Sequence, residues 1–158
     1  MLTIIVISLV IIIDQCTKYM VRINFEQGET LPIISDILHL TYVRNLGAAF
    51  SMFENIKVVT IIMPLFILLI AITALFFFYK RISRFSRISI SLIIAGGMSN
   101  LIDRIILGYV TDMIDFRIFP VFNIADISVC VGCMLLIVGM FLPEKLDKDN
   151  LPEQSNDW

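Results

Sequence analysis

The sequence predicts an all-α membrane protein: four transmembrane helices with a small extracytoplasmic β-sheet. Three observations lead there. The 158-residue chain is 58% hydrophobic and 16% charged, against about 45–50% and about 25% in an average soluble domain. Its mean hydropathy is +0.91. The apolar residues come in four long runs, and a segment rich in β-branched and aromatic residues lies between the first two. With 12 Lys+Arg against 14 Asp+Glu, the chain carries no electrostatic footprint for nucleic acid. The length suits one integral-membrane domain, residues 1–143, followed by a polar tail, 144–158.

A bilayer-spanning helix needs roughly 20 mostly apolar residues. Residues 2–21 form the first span, apolar to Ile13 and then carrying Asp14 and Lys18. No Lys or Arg precedes Lys18, and Ile11-Ile12-Ile13 makes a poor cleavage site. The segment therefore reads as a retained helix, not a removed signal peptide. Residues 37–43 (ILHLTYV) predict a strand, and Asn45-Leu46-Gly47 a turn. Residues 58–79 are the second span, with Pro64 as a tolerated kink.

The loop 80–87 holds Lys80, Arg81, Arg84 and Arg87 and no acid, which places it in the cytoplasm by the positive-inside bias. Both termini then face inward, and loops 22–57 and 108–123 face outward. Residues 88–107 are the third span, where Gly96-Gly97 predicts close helix packing. Residues 114–119 are a second short strand candidate and residues 124–142 the fourth span. The tail mixes Lys145 and Lys148 with Glu144, Asp147, Asp149 and Glu153 and reads as solvated and disordered. Arg44 and Lys57 read as surface charges.

Cys16, Cys130 and Cys133 fall within spans and are expected to be buried apolar filling. Cys130 and Cys133 share a helix face but lack further ligands, the only histidine, His39, being in a loop. No metal and no cofactor is expected.

Ionisable groups inside a span cost at least about 2.5–3.5 kcal/mol each at its centre, so their placement is informative. Those in the spans lie toward the outer face: Asp14 and Lys18 in span one, Asp103 and Arg104, beside the amide of Asn100, ending span three, and Asp126 opening span four just after Asn123; Asp112 and Asp115 lie in the outer loop between. The inner halves hold almost nothing ionisable, which argues against a transporter's proton or ion relay. Bland roles exist for most of these residues. Asp14 and Lys18 have the i, i+4 spacing of an ion pair. Arg104 and Lys18 suit lipid headgroups, as in a non-catalytic lipid-binding subunit. Asn123 or Asp126 suits a helix cap, and Asp115 reads as a solvated loop charge. Asp112 and Asp126 resist the bland account. A short outer loop joins them, so both can face one cleft. Two carboxylates brought together there share a proton, leaving one to activate water while the other protonates a carbonyl or leaving amine.

The chain resembles the lipoprotein signal peptidases (signal peptidase II), bacterial membrane aspartyl proteases. Five blocks carry the resemblance in order: Asp14-Gln15-Cys16-Thr17-Lys18; Asn45-Leu46-Gly47-Ala48-Ala49-Phe50; the run from Gly96 to Arg104 (GGMSNLIDR); the run from Gly108 to Phe116 (GYVTDMIDF); and Phe122-Asn123-Ile124-Ala125-Asp126. The resemblance implies a multi-pass protein of the bacterial inner membrane with both termini cytoplasmic and its site near the outer face. It implies cleavage of prolipoproteins on the amino side of their diacylglyceryl-modified cysteine, in contact with membrane lipids. Asp112 and Asp126 match the family's catalytic pair. Asn45, Asn100, Asp103, Arg104 and Asn123 match residues that line the site and hold substrate or dyad, and Asp14, Lys18 and Gly47 match supporting positions. Two departures are that Thr111 stands where Val is commoner and that the stretch from Asp112 to Asp126 is short.

Overall fold

The computed structural model describes residues 1–47 and 58–141. In chain order they form α1 (Leu2–Asn24), β1 (Thr30–Ile34), β2 (Leu38–Asn45), α2 (Met63–Phe78), α3 (Arg84–Ile106), β3 (Val110–Asp115) and α4 (Ile124–Phe141). A π-helical turn, Val58–Ile62, leads into α2. Leu2–Asn24, Val58–Phe78, Arg84–Ile106 and Ile124–Phe141 are each long and apolar enough to cross a membrane. A helix of 23 residues rises roughly 35 Å, enough for a bilayer core of about 30 Å.

The first helix is built inside out relative to one in a soluble bundle. The buried residues of α1 are Asp14, Lys18 and Val21, while Ile4, Ile5, Leu9 and Ile12 are exposed. Hydrocarbon as solvent selects this arrangement, because apolar side chains cost nothing facing lipid and charges must find partners within the protein.

The third helix is the hub, packing against α1, α2 and α4. Its contact with α4 depends on glycine. A Cβ on Gly96 would collide with the Ala125 carbonyl oxygen, and one on Gly132 would lie 2.7 Å from the Ser89 carbonyl oxygen. In a helix interior Gly→Ala ordinarily gains up to about 1 kcal/mol. At Gly96 the obstructing atom is backbone, and overpacking costs about 1–3 kcal/mol. Gly96→Ala is therefore expected to lower the melting temperature of the detergent-solubilised protein; an unchanged or higher value would contradict the close crossing.

The three strands form one antiparallel sheet, order β1-β2-β3, at the end of the bundle where α1 and α3 finish and α4 begins. Pro32 is tolerated because β1 is an edge strand. Val21, Tyr42 and Met113 make a small apolar core with Phe25, Leu40 and Ile114, fastening the sheet to the end of α1.

Several sequence expectations need correction. The third helix begins at Arg84, capped by the Ser83 hydroxyl, which accepts the Ser86 N–H at 3.1 Å. Arg84 and Arg87 thus sit in its first turn, not in a loop. The strand expected at 114–119 is β3 at Val110–Asp115, and β1 was not anticipated because its sequence, TLPII, contains proline. Cys16, Cys130 and Cys133 are exposed on the outer faces of their helices, not buried filling. A thiol is apolar enough to face lipid, so burial was never required of it. Pro64 stands where π spacing gives way to α2. Proline's missing N–H removes one ladder bond there. Ala48, Ala49, Phe50, Lys57 and the tail after 141 lie outside the described residues.

Candidate active site at the junction of sheet and helices

Asp112 lies on β3, in register with Val43 of β2, and is 2% exposed. A register shift between Leu40 and Val43 marks a bulge in β2 beside it. Bulges re-aim side chains and recur next to active sites. Asn45, two residues beyond Val43, donates its Nδ2 to Asp112 Oδ2 at 3.0 Å. Its own Oδ1 accepts the Gly47 N–H at 3.1 Å, an Asx turn that closes the Asn45-Leu46-Gly47 segment. The second oxygen of Asp112, Oδ1, accepts from Asn123 Nδ2 at 2.7 Å.

Asp126 lies in the first turn of α4. Its N–H donates to Asn123 Oδ1 at 2.9 Å, and its Oδ2 accepts the Asn123 N–H at 3.2 Å. This reciprocal pair is a capping box. The expected capping role is therefore real, and it coexists with a place in the site. Asp126 Oδ1 accepts from Asn100 Nδ2 of α3 at 2.8 Å. Each aspartate thus receives two N–H donors, and Asn123 touches both.

Burial pushes the Asp112 carboxyl up to about 6. The Asn45 and Asn123 hydrogen bonds and the Lys18 charge oppose that shift, while the Asp126 charge adds to it. Arg104, at the end of α3, is partly buried, and its guanidinium makes no hydrogen bond or ion pair among the described residues. Its charge acts on Asp126, Asp112 and Asp103.

Behind the aspartates lies a buried charge cluster. The ammonium of Lys18 reaches Asp14 Oδ2 at 2.7 Å, Asp103 Oδ2 at 3.2 Å and Asn100 Oδ1 at 2.8 Å. Lys18 and Asp14 are 0% exposed and Asp103 is 1% exposed. Asp14 also accepts from the Ser99 hydroxyl at 2.7 Å and the Ala125 N–H at 2.8 Å. Asp103 accepts from Gln15 Nε2 at 3.0 Å and the Thr111 N–H at 3.1 Å. Expected to touch substrate, Asp103 is instead enclosed and fully engaged with protein.

Gln15, Ser99 and Arg22 were missed from the sequence as members of this cluster. Arg22 Nη1 lies 3.8 Å from Asp103 and donates to Thr111 Oγ1 at 3.1 Å. Its signal was available: Asp14, Lys18 and Arg22 recur every four residues along one face of α1. The same bond gives Thr111 a task that valine lacks the hydroxyl to perform.

Asp115 is not a solvated loop charge. It is buried at the end of β3, accepting from Thr41 Oγ1 at 2.8 Å and from the Arg117 N–H at 2.8 Å, with Arg117 Nη1 at 3.3 Å. Burial raises its pKa, but the Arg117 backbone, Thr41 and Arg117 side-chain bonds outweigh that and hold it below the usual carboxylate range. Three residues apart on a strand, Asp112 and Asp115 point to opposite faces. Asp115→Asn is therefore expected to lose about 1–3 kcal/mol of stability while leaving any chemistry at Asp112 intact. Paired melting and activity measurements check this, and activity lost to the extent seen in Asp112→Asn would contradict it.

The family model for signal peptidase (SPase) II matches residues 6–142 of the chain. The chain is 42% identical over 142 residues to the lipoprotein signal peptidase of Halothermothrix orenii, covering 90% of this chain and 97% of that one. It is 44% identical over 141 residues to that of Clostridioides difficile, covering 87% and 93%. A bacterial membrane enzyme solved by the in meso method at 2.3 Å resolution aligns with a TM-score of 0.79 and 33% identity, over 87% of this chain and 86% of that one.

Proposed function

The chain belongs to the signal peptidase II family, and on that premise we propose that it is a membrane aspartyl endopeptidase. It removes signal peptides from prolipoproteins by cutting on the amino side of the diacylglyceryl-modified cysteine, at the outer face of the bacterial inner membrane with both termini cytoplasmic. The observation that supports this best is the pair of carboxylates, Asp112 and Asp126, each held by two N–H donors and joined through Asn123.

The chemistry follows from that pair. The dyad holds one proton between two carboxylates. The ionised member takes a proton from water as the water oxygen attacks the scissile carbonyl carbon. The other member gives its proton to the carbonyl oxygen. The tetrahedral intermediate then collapses: one of its two hydroxyls gives its proton to the ionised carboxylate, the other carboxyl protonates the leaving amine of the modified cysteine, and the C–N bond breaks, which returns the dyad to one shared proton. Asn45, Asn100 and Asn123 keep the carboxylates oriented, so little reorganisation is needed as charge develops. Arg104 has hydrogen-bonding capacity to spare and is assigned to the substrate's peptide or headgroup oxygens. The exposed apolar side chains of the helices give a diacylated substrate a lateral route from the lipid.

Two experiments test the reading. The purified protein, given a diacylglyceryl-modified prolipoprotein and its unmodified precursor together, is expected to cut only the modified one; equal cutting of both would contradict lateral delivery by the acyl chains. The second is the pH profile. Asp112 is pushed up to about 6, so it is protonated below that value and loses the proton as pH rises through it. In the substrate-free enzyme kcat/KM is expected to fall on the alkaline side with a midpoint near there. A kcat/KM unchanged through that range would contradict the shared proton.

A further inference from the structure

Besides its two carboxylate partners, Lys18 donates to the oxygen of Asn100, an amide whose nitrogen faces Asp126. An asparagine amide is nearly symmetric in shape, with an acceptor at one end and a donor at the other. Which end faces a carboxylate depends on the partner at the other end. For Asn123 that partner is the Asp126 N–H at 2.9 Å, and for Asn45 it is the Gly47 N–H at 3.1 Å. Backbone N–H groups only donate, so both amides are forced to present Oδ1 to them and Nδ2 to Asp112. Among the described residues no backbone N–H donates to the Asn100 side chain. Its Oδ1 is held by Lys18 Nζ at 2.8 Å.

An ammonium has three donors and no acceptor, and Lys18 spends one each on Asp14, Asp103 and Asn100. Asn123 Nδ2 also reaches Asn100 Oδ1, at 3.1 Å, but its two protons face three acceptors and its shortest bond, 2.7 Å, goes to Asp112. Its hold on Asn100 is secondary.

We propose that Lys18 is a positioning residue for catalysis: it locks the Asn100 amide so that Nδ2, and not Oδ1, meets Asp126. The inference rests on the reading of Asp112 and Asp126 as the dyad. If Asn100 turned over, its Oδ1 would lie against Asp126 Oδ1, an acceptor–acceptor contact that only a proton on Asp126 relieves. That proton would point at Asn100 and be withdrawn from the substrate. Because Lys18 is fully buried, substrate does not touch it, and the effect falls on turnover rather than on substrate affinity.

The test uses the charge-balanced double variant Lys18→Met/Asp14→Asn, which removes one cation and one anion together. With folding checked by thermal melting, kcat on a lipidated precursor is expected to drop about 10- to 100-fold while KM stays within about twofold. A folded double variant with wild-type kcat overturns the proposal. Asn100→Asp reads the same polarity while leaving Lys18 in place. It keeps a partner for Lys18 but presents oxygen to Asp126, so it is expected to fold and to lose kcat similarly; wild-type kcat in this variant also overturns the proposal. Asp112→Asn in the same assay separates the two ideas. If it is inactive beside a fully active double variant, only the role of Lys18 falls. If it is active, the dyad reading falls, and the role of Lys18 with it.

Discussion

Lys18→Met alone is expected to destabilise the fold by about 3–5 kcal/mol, the cost of breaking a buried ion pair by removing one partner. The ammonium is the group that lets Asp14 and Asp103 lie within the membrane-embedded bundle, at 2.7 and 3.2 Å. Without it, two carboxylates remain buried, with Arg22 at 3.8 Å from one of them as the nearest remaining cation. Whole-protein stabilities are about 5–15 kcal/mol, so a large fraction is lost from one side chain. Thermal melting in detergent, with the yield of folded protein, reads this out. The double variant Lys18→Met/Asp14→Asn is expected to recover much of the loss, because it no longer strands Asp14. A single variant that melts with the wild type would show that the cluster contributes little to the fold.

Asp112→Asn and Asp126→Asn are each expected to reduce cleavage by about 100- to 10,000-fold, the range that general acid–base groups supply, while the protein stays folded. Magnitudes support the second half of that statement for Asp112. Its carboxyl is raised from 3.8 to about 6, a shift worth about 3 kcal/mol at 1.36 kcal/mol per unit. The sign follows from the raised value: the folded state holds the proton more tightly, so burying this group costs stability that grows as pH rises from the unfolded value through about 6. The asparagine removes that cost above this range. It also turns an NH2 toward a donor, either Asn45 or Asn123, losing about 1–3 kcal/mol. The two effects nearly cancel, so lost activity in Asp112→Asn reports chemistry and not unfolding.

Much of this architecture was legible in the sequence because lipid enforces simple rules. Runs of apolar residues had to be spans, and the few charges inside them had to be partnered. That logic found the helices, the β2 segment and the gathering of Asp14, Lys18, Asn100, Asp103, Asp112, Asn123 and Asp126 at one end. It did not reach the interior bookkeeping of hydrogen bonds. Gln15 and Ser99 are uncharged, and their partners, Asp103 and Asp14, lie on other helices, so sequence spacing alone gives them no role in the charge cluster. Asp103 and Asp115 looked available because exposure depends on neighbours distant in sequence: Lys18 and Gln15 for one, Thr41 for the other. The cysteines were misjudged for the opposite reason, since a residue that tolerates lipid has no periodic signature separating inner from outer faces. The edge strand β1 was hidden by Pro32, whose tolerance there depends on its being the outermost strand.

The central claim, that Asp112 and Asp126 cut the peptide bond before a lipid-modified cysteine, is tested most directly by mass spectrometry of the products from one diacylglyceryl-modified prolipoprotein. With the wild-type protein the new N-terminus should be the modified cysteine, and folded Asp126→Asn should leave the precursor intact. The same product from folded Asp126→Asn, or a wild-type cut at another bond, would contradict the account.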